Sequence, residues 1–209
     1  GVKGVVALST DKASSPVNLY GATKLASDKL FVAGNSYSGE HGCRFSVVRY
    51  GNVMGSRGSI IPLFLSLKGS GVLPITDERM TRFMISLEEG VELVWQAFSD
   101  MEGGEIYVKK IASMKVTDIA DTLAPGARHE IIGIRPGEKL HEQMIGTEDS
   151  YNTYEYDGFY KILPAINSWN TCKKRIKDGR KVPEGFVYSS ETNSEWMSTE
   201  ALKGWLSQY

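Results

Sequence analysis

The chain holds only two cysteines, Cys43 and Cys172. They form no Cys-x-x-Cys or Cys/His spacing, so neither a zinc site nor a disulfide-stapled scaffold is expected, and such sparse cysteine fits a reducing, cytoplasmic compartment. Long apolar runs are missing too. No stretch free of Asp, Glu, Lys and Arg exceeds eleven residues, against the roughly 20 apolar residues that cross a bilayer, so no membrane-spanning helix is expected. Neither sign of charge dominates: 24 Lys and Arg face 25 Asp and Glu, which leaves out the electrostatic footprint of a general nucleic-acid binder and makes any basic site local. Residues 1–8 carry no signal-peptide pattern, and the first residue is Gly1 rather than Met. No G-x-G-x-x-G turn, internal repeat or low-complexity segment occurs in the 209 residues.

What is present is the make-up of a globular protein of one to two domains, with 41% hydrophobic and 23% charged residues. The apolar run at residues 5–8 closes on Ser9-Thr10 and reads as a buried parallel strand whose C-terminal end opens toward a ligand crevice. A helix is expected next, capped by Ser15 with Pro16 at its first position. It carries Ala22, Leu25, Ala26, Leu30 and Ala33 at helical spacing until Gly34. Residues 45–48 read as a second strand ending at Arg49-Tyr50-Gly51-Asn52, which completes a βαβ unit. Residues 60–67 are expected as a short helix and 76–82 as loop. Ser86-x-x-Glu89 is a capping box ahead of Leu87, Val91, Val94, Trp95 and Phe98, which share one helical face. Strands are expected at 106–108 and 131–134, flanking a helix capped by Thr117 and ending near Leu123, with a last helix at 199–206. The order is α/β. From Tyr151 the composition shifts toward Tyr, Asn and Ser, so residues 151–209 are expected as a C-terminal tail or small lobe beside a body formed by 1–150.

The sharpest constellation is Ser9-Thr10-Asp11-Lys12 at a strand end, followed by Tyr20-Gly-Ala-Thr-Lys24 in the next helix. Tyr20 and Lys24 are four apart and so lie on one helical face. A free tyrosine titrates near 10, and a neighbouring ammonium favours the phenolate, which is one route to a base for a hydroxyl proton. Any amphipathic helix can offer such a pair, so the pair alone does not decide. Arg82 and Arg135 are candidates for pairing with phosphate through their guanidinium forks, or equally for surface ion pairs, and Arg79 competes with Arg82. Asn52 follows a strand end, where it can bond a phosphate or sugar oxygen or serve a turn. His41, His129 and His141 show no ligand spacing and are expected in surface or packing roles.

A strand, a Ser/Thr and Tyr-x-x-x-Lys together resemble the extended short-chain dehydrogenase/reductases, nucleotide-sugar enzymes on a Rossmann fold. The longer match runs through Ser-Thr-Asp-Lys-Ala, Asn18 to Lys24, Arg49 to Ser59, Thr76 to Phe83 and Arg135 to Glu142. It is similar to the inverting UDP-N-acetylglucosamine 4,6-dehydratases of polysaccharide and pseudaminic acid biosynthesis. The resemblance implies Tyr20 as acid/base, Lys24 as a further holder of the nicotinamide ribose, and Thr10 as the hydroxyl assisting the tyrosine. It implies Asp11 and Lys12 as the acid and base that remove water across C5–C6. In the retaining sugar dehydratases a glutamate follows the aspartate, so Lys12 points to the inverting class.

Asn52, Arg82, Arg135 and Glu138 would bind the UDP-sugar. The cofactor implied is NADP in preference to NAD, and the full-length assembly a homo-oligomer. Residues 1–150 would then be a partial NAD(P)-binding Rossmann domain with interleaved substrate-binding elements, and the chain a C-terminal portion without the glycine-turn half. A 4-epimerase or reductase would share Tyr20 and Lys24 without needing the Asp11-Lys12 pair. A non-catalytic cofactor-sensing protein of the same fold commonly lacks Tyr20 and Lys24 altogether.

Overall fold

The computed structural model describes residues 1–39 and 42–207, Asn167 by its backbone alone, so that His41 lies outside the described residues. The first half runs β1 (Gly4–Thr10), α1 (Leu19–Ser38), β2 (Arg44–Tyr50), β3 (Asn52–Val53), α2 (Ile60–Leu67), β4 (Val72–Ile75), β5 (Thr81–Ile85) and α3 (Leu87–Asp100). It continues with β6 (Ile106–Lys109), β7 (Ser113–Lys115), α4 (Val116–Leu123), β8 (Arg128–Ile131), β9 (Gln143–Ile145), α5 (Thr147–Ser150), β10 (Thr153–Glu155) and β11 (Phe159–Ile162). The last elements are α6 (Lys173–Ile176), β12 (Arg180–Lys181), β13 (Tyr188–Ser189) and α7 (Thr199–Leu206). The chain passes repeatedly between two units. One comprises Gly1–Tyr50, Glu88–Lys110 and Gln143–Tyr188, the other Gly51–Leu87, Ile111–Glu142 and Ser189–Tyr209.

The first unit is built on a six-stranded sheet in the order β1-β2-β6-β11-β10-β12. β1, β2 and β6 are parallel, with Gly4 opposite Arg44 and Thr10 opposite Tyr50. β11, β10 and β12 are antiparallel additions. The segment after Tyr151 is therefore neither a tail nor a separate lobe through residue 188. Its strands extend the main sheet through the pairing of Phe159–Ile162 with β6, a non-local contact that a composition shift cannot reveal. Val47, Val48, Tyr107 and Val108 are fully buried in that sheet, and α3 packs on Val48 and Tyr107 through Leu93 and Ala97, joined by Met101 just beyond its end. Of the apolar face read from the sequence, Val94 packs against that core, but Leu87, Val91, Trp95 and Phe98 are exposed. Periodicity finds a stripe but not what covers it.

α1 begins later and ends later than expected. Asn18, not Ser15, is the N-cap, its side chain accepting from the Gly21 amide at 2.8 Å. Ser15 stands in left-handed backbone at φ 46°, a conformation that cannot start a right-handed helix. The buried positions of α1 are Gly21, Asp28 and Asn35, seven residues apart and hence on one face. Leu30, expected at the core, is exposed. Each seam residue has a stated partner. The Asp28 carboxylate accepts from Arg49 Nη2 at 3.0 Å. Asn35 donates to the Phe45 carbonyl and accepts from the Phe45 amide, both at 2.9 Å. A Cβ at Gly21 would stand 2.4 Å from the Lys12 carbonyl oxygen.

In the second unit β3 and β5 pair in parallel, β5 and β7 antiparallel, and β4 and β8 in parallel. Pairing with β4 places β8 at Arg128–Ile131, earlier than the strand expected at 131–134, and β5 takes residues 81 and 82 out of the expected loop. Ile61 and Phe64 of α2, Ile119 and Leu123 of α4 and Leu202 of α7 share one core with Leu73, Ile75 and Met114.

A charged network in the first unit supports an acid-stability prediction. Asp100, at the end of α3, accepts from Tyr107 Oη at 2.8 Å, from the buried Lys161 Nζ at 2.9 Å, and from Lys177 Nζ. Burial raises the Asp100 carboxyl, but the bonds from Lys177, Lys161 and Tyr107 outweigh it and hold the group below the ordinary range. A carboxylate depressed in the folded state adds stability above its unfolded pKa, about 3.9, and loses it as pH falls through the lower folded value. Asp100→Asn is therefore expected to flatten the fall of the melting temperature below about pH 4. Calorimetric scans from pH 6 to 2.5 that superimpose in slope with the wild type would count against this account.

Candidate active site

The catalytic candidates collect where β1 ends. β1 leads into a single 3-10 turn, Asp11–Ala13, for which Thr10 is the N-cap, its hydroxyl accepting from the Lys12 amide at 3.4 Å. Thr10 Oγ1 donates to Asp11 Oδ1 at 2.8 Å, and Lys12 Nζ reaches the same oxygen at 2.9 Å. Asp11 is fully buried, while the Lys12 side chain is 34% exposed. With both donors on Oδ1, the other oxygen, Oδ2, is buried without a hydrogen-bond partner among the described residues. A buried acceptor left unmatched is costly, and such a group is a place to look for a ligand. The Thr10 hydroxyl is engaged with Asp11, so in this geometry it orients the carboxylate rather than the tyrosine.

Tyr20 and Lys24 stand in the first turns of α1. Tyr20 is 54% exposed, so its phenol is available to a substrate. Lys24 Nζ donates to the Leu8 carbonyl of β1 at 3.0 Å, which ties the helix to the strand carrying Thr10. Gly21 brings the two segments together, since only a residue without Cβ tolerates the Lys12 carbonyl at that approach. Gly21→Ala is expected to displace the first turn of α1 and lower turnover of the full-length protein by about 100-fold, the cost of misplacing a catalytic group by about 1 Å. Unaltered steady-state kinetics for Gly21→Ala would show that this contact does not set the geometry. Sequence reasoning missed Gly21. It also missed Tyr50, whose phenol is pushed up by burial and by the nearby Tyr20. The signal was Gly inside a helix, next to the tyrosine.

The sugar-nucleotide candidates all belong to the second unit. Asn52 pairs with Met84 across β3 and β5, and its Oδ1 is buried with no hydrogen-bond partner among the described residues. Arg135-Pro136-Gly137-Glu138 forms a turn closed by the Glu138 amide donating to the Arg135 carbonyl at 3.1 Å. Gly137 has φ 82° there, as Pro-Gly at the central positions of a type II turn requires. The Arg135 side chain is 69% exposed and stands 3.9 Å from Glu138, leaving its fork open to an anion. Arg82 is different. Its guanidinium donates to the carbonyls of Thr81, Leu140 and Lys139 and lies 3.8 Å from Glu142. Its donors therefore serve to hold the 139–142 segment. Arg79 is bound to Asp77 and holds that carboxyl down to about 2. His129 lies beside Asp121, and His141 Nδ1 is 2.8 Å from the Thr81 hydroxyl, packing and ion-pair roles.

β1 thus ends in Thr-Asp-Lys and the helix that follows carries Tyr-x-x-x-Lys, two adjacent segments of one mixed α/β unit. A family model described as polysaccharide biosynthesis protein matches residues 1–164, and the chain belongs to that family. It is 56% identical over 209 residues to the UDP-N-acetylglucosamine 4,6-dehydratase (inverting) of Campylobacter jejuni, an alignment covering 97% of this chain and 63% of that protein. It is 36% identical over 207 residues to the UDP-glucose 4-epimerase of Rickettsia akari, covering 97% of this chain and 60% of that one. The X-ray structure of Pen from Bacillus thuringiensis superposes with a TM-score of 0.82 at 30% identity, over 100% of this chain and 63% of that one. The chain thus spans less than two thirds of the length of these relatives.

Proposed function

We propose that the full-length protein is an NADP-dependent, inverting UDP-N-acetylglucosamine 4,6-dehydratase. The observation that carries this reading is the buried Asp11 joined to Lys12. Oxidation or epimerisation at C4 needs one acid/base, whereas losing water across C5–C6 needs a second pair, a base for the C5 proton and an acid for the departing oxygen. Identity of 56% to the dehydratase against 36% to the epimerase supports the same choice.

The residues present fit the nicotinamide end of a dinucleotide: an exposed phenol at Tyr20 and an ammonium at Lys24 held on the strand end. Tyr20 and Lys24 would hold it, and when bound it supplies hydride transfer from C4 and back to C6. Tyr20 takes the C4 hydroxyl proton. The ketone then acidifies C5–H. Lys12 and Asp11 share one proton along their 2.9 Å contact. Lysine ammonium with carboxylate and neutral amine with carboxylic acid are two placements of that same proton. In the neutral form Lys12 removes the C5 proton and Asp11 protonates the leaving C6 hydroxyl, which returns the pair to its charged form; the enolate left by hydride return to C6 then takes a proton at C5 on the opposite face, which balances the proton accepted by Tyr20 and inverts that centre. Asn52 and Arg135 bind the sugar nucleotide, with Glu138 on the ribose or uracil side.

Incubating the full-length protein with NADP and UDP-N-acetylglucosamine and reading the product by NMR tests the proposal. A 4-keto-6-deoxy sugar inverted at C5 is expected, whereas a C4 epimer that keeps its C6 hydroxyl would assign the protein to the epimerases. Arg135→Ala is expected to weaken UDP binding by about 10-fold, the lower end for a charge-assisted bond because the side chain stands in solvent. Equal affinities by isothermal titration would place the diphosphate elsewhere.

A further inference from the structure

We propose that Arg49 is a positioning residue that fixes α1, carrying Tyr20 and Lys24, against β9, which packs behind the Asp11–Lys12 turn. The proposal rests on the dehydratase reading for its kinetic consequence and on geometry alone for its structural one.

Arg49 lies in β2 between apolar neighbours and is 2% exposed. Its fork reaches three separate segments. Nη2 donates to Asp28 of α1 at 3.0 Å, and Nη1 donates to the Met144 carbonyl of β9 at 2.7 Å and to Asp149 of α5 at 3.2 Å. Asp28 is equally buried, at 2%. Met144 and Ile145 are fully buried, and β9 packs on the 3-10 turn that holds Asp11 and Lys12. At the end of β9, a Cβ on Gly146 would lie 3.5 Å from the Ser15 hydroxyl. One side chain thus spans from the tyrosine helix to the strand backing the acid/base pair.

A buried ion pair is weak evidence of a stabilising role, because desolvation offsets the attraction. An apolar pair of similar volume could fill the space. What the guanidinium supplies is direction: a planar fork meets its acceptors at fixed angles, and lysine cannot reproduce three such contacts from one ammonium. The Nε of Arg49 has no acceptor among the described residues, so the group is held for the two terminal nitrogens at the expense of the third.

The test uses the full-length protein, with Arg49→Lys and Asp28→Asn as the main variants. Turnover is expected to fall by about 100-fold in Arg49→Lys with KM for the UDP-sugar unchanged, since an error of about 1 Å between catalytic groups costs that much. The control is Lys161→Met, which removes another fully buried cation from the same unit, at a place that touches no catalytic candidate. It should lower the melting temperature and leave turnover at low temperature intact. If Arg49→Lys behaves like Lys161→Met, losing melting temperature but not turnover, Arg49 is structural only and the proposal fails. Hydrogen exchange gives a readout independent of activity. Both Arg49→Lys and Asp28→Asn should speed exchange of amides in residues 11–14 and 21–28 together. Faster exchange confined to β2 overturns the proposal. If the wild type makes no 4-keto sugar, the dehydratase reading has failed, and the exchange pattern alone decides whether Arg49 joins the two segments.

Discussion

Tyr20→Phe in the full-length protein is expected to reduce turnover of UDP-N-acetylglucosamine by about 100- to 10,000-fold, the contribution typical of a positioned acid/base. The ring survives the substitution, so affinity for the UDP-sugar should hold and the loss should fall on the first oxidation. Lys12→Met and Asp11→Asn should fail later. They leave C4 oxidation possible but block the departure of water, so reduced cofactor and keto sugar should accumulate without a 6-deoxy product. Lys12→Met should also stop exchange of the C5 proton with solvent deuterium. Exchange at the wild-type rate would remove Lys12 as the base, and full turnover in Tyr20→Phe would remove the tyrosine. The two variants therefore separate two proton transfers that overall activity would merge.

The second large effect concerns the 209 residues expressed alone, which are expected to bind NADP no tighter than millimolar. Tyr20 and Lys24 meet only the nicotinamide end, and the sequence has no G-x-G-x-x-G turn to receive the pyrophosphate. Two side chains cannot offset the loss of translational and rotational freedom, about 4–15 kcal/mol. The same chain should associate or aggregate. β1 is seven residues long and lies at one edge of the sheet, with β2 as its partner, an unguarded template for another strand. The opposite edge, β12, is two residues long and carries Arg180 and Lys181, the charged and abbreviated form that resists pairing. A micromolar dissociation constant by titration calorimetry would mean that the cofactor contacts have been misplaced. A monodisperse monomer in light scattering would mean that the β1 edge is not exposed.

Much of this was legible before any coordinates. Ser9 through Lys12 at a strand end and Tyr20 with Lys24 on the following helix lie where the sequence places them, because a short apolar run and a helical spacing are local signals; the strand itself is an edge, part-buried and with Leu8 exposed, rather than the buried one expected. The seat of α1 was not legible. Leu25, Ala26 and Leu30 suggested an apolar face, yet the helix docks through Gly21, Asp28 and Asn35, and polar residues at helical spacing read as solvent-facing until their partners are known. Arg49 offered a hint, a charge beside Val47 and Val48 in a strand, which must be paired if buried. The division into two units was hidden for another reason. The chain crosses between them several times, so no single boundary such as residue 150 could describe it.

The seam on α1 also bears on how the protein assembles. An apolar face slides and still gains by burial, but Asp28 and Asn35 are satisfied in one register only. A slip of one helical turn would strand a carboxylate and an amide away from Arg49 and Phe45, a penalty several times the thermal energy. A 20-residue helix can flicker into being on its own, and its seat lies close along the chain: Asp28 meets Arg49 across 21 residues and Asn35 meets Phe45 across 10. The Arg49 bond to the Met144 carbonyl, 95 residues away, closes a far longer loop.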